Sequence, residues 1–170
     1  ILRCLVGSEM CIRDRNAVEL QGKDLATIKV VVAGAGASAI ACANHYVALG
    51  VKSANIVMCD SKGIMTKKRL EEGDLNEFKA PYAIDAEGGD LADALIGADV
   101  LLGLSRGGLV TGEMVAKMAD KPIIFALANP TPEIMPHEVL EVRNDAIIAT
   151  GRSDFPCLLY TSDAADEWLR

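Results

Sequence analysis

The chain has 170 residues, a net charge of −7 and 51% hydrophobic residues. That length suits one domain with a full core, and that apolar share suits a sheet covered on both faces. The acidic balance without a basic block argues against nucleic acid or anionic membrane as partners, and the most apolar stretch, "VVVAGAGASAIACA", is too short and glycine-rich to span a bilayer.

A soluble, cytosolic protein is the expectation. Cys4, Cys11 and Cys157 lie near the chain ends, and only Cys42 and Cys59 fall in the body. Neither has a Cys or His partner at zinc-ligand spacing, so both read as buried free thiols.

The chain opens on Ile1–Arg15, which holds no sustained helical or strand period. Within it Met10–Arg15, "MCIRDR", can be encoded by ATG TGT ATA AGA GAC AGN. The reverse complement, read one base in, translates as Cys-Leu-Leu-Tyr-Thr and leaves a T to begin a serine codon. The far end of the chain reads "CLLYTS", Cys157–Ser162. The two ends therefore fit one short DNA segment in opposite orientations, and both resemble translated sequencing adapters. Residues 1–15 and 157–170 are accordingly expected to be non-native tails, with the natural domain running from Asn16 to Pro156.

Between those limits short apolar runs alternate with helical segments. "KVVVA", Lys29–Ala33, is a continuous β-branched run and reads as the first strand. Ala37–Gly50 reads as a helix closed by Gly50. "NIVMC", Asn55–Cys59, is the second strand, followed by the polar stretch Ser61–Gly89 with few patterns. Leu91–Ala98 predicts a short helix and "DVLLGLS" a strand. Thr111 is placed to cap a helix with Met114, Val115 and Met118 on one face. "PIIFALA", Pro122–Ala128, predicts a strand, Pro136–Val142 a helix and "AIIAT", Ala146–Thr150, the fifth strand. This alternation predicts an α/β fold, a three-layer, Rossmann-type doubly wound parallel sheet. All five strands end in polar, Gly- or Pro-marked loops, which would share the carboxyl edge where such sheets bind ligands.

The first of those loops, "GAGASA", fits GxGxxG/A directly after a strand and at the start of a helix. Gly34 permits the tight turn, Gly36 lets backbone approach a pyrophosphate, and Ala39 allows close helix–strand packing. The free N–H groups of the helix start, over Ala35, Ala37 and Ser38, would take the phosphates. Asp60 ends the second strand about 20 residues further on, where a carboxylate takes the adenine ribose hydroxyls. Ser61 and Lys62 follow, a hydroxyl and an ammonium able to meet a 2′-phosphate, so the expected cofactor is NADP, with NAD the alternative. Asn129, ahead of Pro130, offers an amide for both a nicotinamide and a substrate carboxylate, or else simply starts a turn. Ser105, with Arg106, Gly107 and Gly108, forms a loop able to cover the cofactor. Glu71, Glu72 and Asp74 read as a solvated charge run rather than a metal site, and His45 and His137 as structural or exposed.

Together, "KVVVAGAGASAIACANHYVALGV", "NIVMCDSKGIM", "GADVLLGLS", "PIIFALANPTPEI" and "DAIIATGRSDFP" resemble the cofactor domain of malic enzymes, nearest to the bacterial NADP-dependent form. The resemblance covers Asn16–Pro156. It implies oxidative decarboxylation of malate to pyruvate and carbon dioxide, with a divalent metal (Mg or Mn) and usually a homo-oligomer. Under it Ala35–Ser38 match the phosphate turn, Asp60 and Ser61 the ribose position, and Asn129 the nicotinamide- and substrate-contacting asparagine. Arg69 matches an arginine near the adenosine end, although "TKKR" departs from the usual "YKGR". The family's proton-transferring Lys and Tyr and its acidic metal ligands have no matching position here, so no catalytic or metal residue is assigned. The competing expectation is a dinucleotide-binding regulatory or interaction module without catalysis.

Overall fold

The computed structural model describes residues 13–151; the expectations for residues 1–12 and 152–170 lie outside the described residues. Six strands form one sheet: Val30–Ala33 (β1), Ile56–Asp60 (β2), Gly63–Ile64 (β3), Val100–Gly103 (β4), Ile123–Ala126 (β5) and Ile147–Thr150 (β6). Their spatial order is β3-β2-β1-β4-β5-β6. Every neighbouring pair is parallel except β2 with β3. The chain thus leaves β1 toward one side of the sheet and resumes at β4 on the other, which opens a crevice at the carboxyl edge between them.

The helices are residues 13–20 (α1), Ala37–Ala48 (α2), Lys67–Glu71 (α3), Leu91–Leu95 (α4), Gly112–Ala116 (α5) and Pro136–Val142 (α6). One face of the sheet (Val30, Val32, Leu102, Phe125) packs with Ala17 and Val18 of α1 and Ala39, Ala43 and Tyr46 of α2. The opposite face (Val31, Leu101, Ile124) packs with Leu95 of α4, Val115 of α5 and Val139 of α6. Because both faces are covered, β1, β4 and β5 are buried at every residue, which is why their sequences run apolar without alternation. Each fully buried Val, Leu or Ile contributes about 1.5–3 kcal/mol relative to exposure. The three-layer α/β sheet predicted from the sequence is therefore the observed one.

Several boundaries differ for local reasons. α2 ends at Ala48, and Gly50 takes φ +111 just beyond it. α4 begins with a reciprocal capping box between Asp90 and Asp93 and stops at Leu95, because Gly97 turns at φ +66. Thr111 caps α5 by accepting from the Met114 N–H, as its position suggests, but the helix ends at Ala116. The stretch Ser61–Gly89 is more ordered than its polar sequence implies. It supplies the antiparallel strand β3 and the helix α3, whose cap Thr66 accepts from the Arg69 N–H. Backbone bonds from Met65 to Met58 and from Ile84 to Met65 tie it to the sheet.

Arg13 and Asp14, expected to belong to the N-terminal tail, lie in the described part of α1 and are 3% and 1% exposed. The Arg13 guanidinium covers the Phe125 ring at 4.1 Å.

Candidate dinucleotide site

The carboxyl edge brings together the loops that follow β1, β2, β4 and β5. The first turns sharply at Gly34, where φ is +129 and a Cβ would meet the Leu104 carbonyl oxygen at 2.7 Å. Glycine is demanded there by the fold itself. Gly36 differs: its φ of −84 suits any residue, and a Cβ would find no heavy atom within 4 Å. The fold does not require glycine at that position, whereas a ligand seated against the first N–H groups of α2 would. Gly36 is the N-cap of α2 and offers no side-chain cap, so those N–H groups face outward unsatisfied by one. This cradle fits a pyrophosphate.

Asp60, at the end of β2, receives Arg69 in a two-pronged pair: Nη1 to Oδ1 at 3.0 Å and Nη2 to Oδ2 at 2.7 Å. The Lys62 backbone N–H adds a bond to Oδ1 at 2.9 Å. Burial pushes the Asp60 carboxyl up, but the Arg69 and Lys62 bonds outweigh it and hold it below the usual carboxylate range. Asp74 accepts from Arg69 Nη2 at 2.7 Å and from the Lys62 ammonium. Those two donors lower its carboxyl as well, Lys62 first. Asp74 is therefore part of a four-residue charge network rather than a bare solvated acid, a role without a periodic signal in the sequence. Burial lifts the Cys59 thiol to about 12, so it stays protonated and unreactive.

A cavity of about 500 Å³ opens against Cys59, Asp60, Ser61, Asp90, Ser105 and Arg106. A second, also about 500 Å³, lies along Ala35, Gly36, Ala37, Asn44, Asn76 and Phe78. Of the sequence-predicted residues, Asp60, Ser61 and Ser105 line the first hollow and Ala35, Gly36 and Ala37 the second. Gly34, Ser38, Lys62 and Arg69 line neither, Lys62 and Arg69 bonding Asp60 and Asp74 in the network. Asn129 is exposed on the loop after β5, preceding a cis Pro130, and lines neither hollow.

Sequence reasoning missed Glu133. It is completely buried, and backbone N–H groups rather than a cation meet its carboxylate. Oε1 accepts the Ser105 N–H at 3.0 Å and Oε2 the Ala128 N–H at 3.1 Å. Its position between Pro132 and the apolar Ile134 was the available signal, since an acid beside a buried isoleucine demands donors.

A glycine cradle at a helix start, an acid ending β2 and a crevice at the switch between β1 and β4 define a nucleotide-binding domain of Rossmann type. The sequence matches the family model for the malic enzyme NAD binding domain over residues 15–164, and the chain belongs to that family. It is 49% identical over 141 residues to an NADP-dependent malic enzyme of Rhizobium meliloti, covering 83% of this chain and 18% of the relative. An NAD-dependent malic enzyme of the same organism is 52% identical over 141 residues, with the same coverage. Among solved structures, an NAD-dependent malic enzyme from Thermotoga maritima superposes with a TM-score of 0.79 at 39% identity, over 90% of this chain and 41% of that one. The chain thus spans about a fifth of the length of the two Rhizobium relatives and about two fifths of the Thermotoga chain.

Proposed function

We propose that this chain is the cofactor-binding part of a malic enzyme whose parent reaction converts malate to pyruvate and carbon dioxide with reduction of NADP. The family match carries the reading, and the open space above Gly36 supports it, because glycine there serves no need of the fold. When bound, the dinucleotide supplies the hydride acceptor. The α2 N–H groups and the Gly34–Ser38 turn hold its phosphates, and Asp60 accepts from its ribose hydroxyls. Ser105 flanks the crevice, and the Asn129 amide orients the nicotinamide and a substrate carboxylate.

NADP rather than NAD rests on Ser61, Lys62 and Arg69, one hydroxyl and two cations next to Asp60. Sequence identity does not decide it, since the NAD- and NADP-dependent relatives match almost equally. The parent's divalent metal (Mg or Mn) does not fit here: among the described residues no group of three His, Cys, Asp or Glu is placed to hold an ion. No step through a metal is therefore assigned to this chain. Tyr46 and Tyr82 do not supply the proton chemistry either. Tyr46 is enclosed in the core, and the Tyr82 hydroxyl donates to Asn44 at 2.5 Å. The parent is proposed to be a cytoplasmic homo-oligomer, and residues 1–15 and 157–170 to be foreign to the natural domain. Among the described residues no helix is long and apolar enough to cross a membrane.

Calorimetric titration of the 170-residue chain with NADPH and NADH tests the reading. Binding of both with NADPH tighter is expected, and no oxidation of malate with manganese and NADP. Equal affinities, or tighter NADH, would remove the NADP preference. Absence of binding to either dinucleotide would remove the reading itself, and turnover of malate would show that catalysis does not need the missing segments.

A further inference from the structure

Among the described residues Glu133 is the fully buried acid beside the crevice that the proposed chemistry does not use. Its surroundings are specific. Each carboxylate oxygen accepts one backbone N–H, Ser105 from the loop after β4 and Ala128 from the end of β5, the residue before Asn129. Its own carbonyl accepts the Val110 N–H at 3.0 Å, and the preceding Pro132 carbonyl accepts the Gly108 N–H at 3.0 Å. The segment Pro132–Glu133 therefore ties the start and end of the Ser105–Val110 loop to the segment carrying Asn129. Space is reserved for the carboxylate: a Cβ on Gly103 would press on its Cδ and come 2.5 Å from Oε2 and 2.8 Å from Oε1. A side chain that only filled volume would need no charge here, and a buried charge is costly unless its oxygens are satisfied.

We propose that Glu133 is a positioning residue for the nicotinamide half of the site, its carboxylate clamping the Ser105 loop and the Asn129 loop at a fixed separation. The proposal rests on the dinucleotide-binding reading above. Glu133 does not touch the cofactor. It acts through the backbone of Ser105, whose residue lines the crevice, and of Ala128, the buried residue before Asn129, so its loss loosens the nicotinamide end and leaves the phosphate turn and Asp60 as they are.

The test compares each dinucleotide with the same molecule lacking nicotinamide: NADPH with 2′-phospho-ADP-ribose, and NADH with ADP-ribose. In Glu133→Gln one N–H keeps an oxygen acceptor while the other faces an amide NH2. Affinity for the dinucleotides should fall about tenfold, and affinity for the fragments by less than about twofold. Equal losses for both would mark a merely structural role and overturn the proposal, as would no loss for either. If the unchanged chain binds the fragments and neither dinucleotide, the inference fails while a nucleotide site stands. If it binds none of the four, the underlying reading fails and takes the inference with it. Should Glu133→Gln not fold, amide NMR of the unchanged chain decides. Slowly exchanging Ser105 and Ala128 protons support the clamp. Freely exchanging ones overturn it.

Discussion

Among the described residues two carboxylates are shut away from water, and they are treated in opposite ways. Glu133, 0% exposed, has a backbone N–H on each oxygen. Asp14, 1% exposed, accepts from its chain neighbour, Arg13 Nε donating to Oδ1 at 2.7 Å, with the Tyr46 hydroxyl and His45 also close to it. Arg13 Nη2 comes within 2.6 Å of the same oxygen but without hydrogen-bond alignment. Asp14 Oδ2 and the Tyr46 hydroxyl, which lies beside Asp14, also lack an aligned partner. A fold that has evolved around a charge supplies donors from its backbone, as the β4 and β5 loops do for Glu133. A charge that has merely been enclosed leaves its neighbours unpaired. The contrast supports the proposal that residues before Asn16 are foreign to the natural domain.

The sharpest way to break the comparison is to invade the Glu133 site. Gly103→Ala adds a Cβ where the carboxylate sits, and β4, held on both sides by β1 and β5, cannot move aside. Loss of both N–H bonds to a buried charge should cost about 3 kcal/mol or more, read from the urea midpoint at constant m-value. A shift below about 1 kcal/mol would show that the carboxylate relocates freely and that its site is not built.

At the other site the expected sign is reversed. Replacing Arg13 with Met and Asp14 with Leu together removes an under-satisfied ion pair from an apolar slot. The gain should be about 1–3 kcal/mol, in the range seen when buried pairs are exchanged for apolar residues. Acidity separates the sites further. Burial raises the Asp14 carboxyl above 3.8 despite the opposing Arg13 charge. A raised acid favours folding below its unfolded value and loses that contribution as pH climbs through the folded one. The advantage of the double variant should therefore be smallest in acid and grow toward neutrality. Asp60, held below 3.8, runs the other way: its contribution is present above that value and fades as pH falls through the lower folded one. A double variant less stable than the parent at neutral pH would mean that the Arg13–Phe125 stacking and the ion pair outweigh their desolvation.

What could be read from sequence follows the same division between backbone-driven and partner-driven features. β1, β4 and β5 are continuous apolar runs because both their faces are covered, so the sheet and its order of loops were plain. Gly34, Gly36 and Asp60 announce themselves by spacing around one strand–turn–helix unit. β3 and α3 did not, since a two-residue strand and a five-residue helix hold no measurable period and depend on the Thr66 cap and on bonds to β2. Glu133 and Asp74 were missed for a shared reason. Each matters through partners far away in sequence or across a turn, Ser105 in one case and Lys62 in the other.

The smallest expected effect lies in that Lys62 contact. Asp74→Asn removes a carboxylate from Lys62 and Arg69, while the two-pronged Asp60 pair still fixes Arg69. The site is open to solvent, so the urea midpoint should not move. The charge balance beside Asp60 should. With one negative charge fewer, Lys62 is released to face the crevice, and the ratio of NADPH to NADH affinity should rise about threefold at low ionic strength. In about 1 M salt the Debye length shrinks to about 3 Å and the gain should vanish. The affinity for Glu133-dependent nicotinamide contacts should not follow salt, because those bonds are buried. A ratio that stays fixed at low salt would mean the Lys62 and Arg69 cations do not reach the 2′-phosphate. Asp60 would then govern the choice, in favour of NAD.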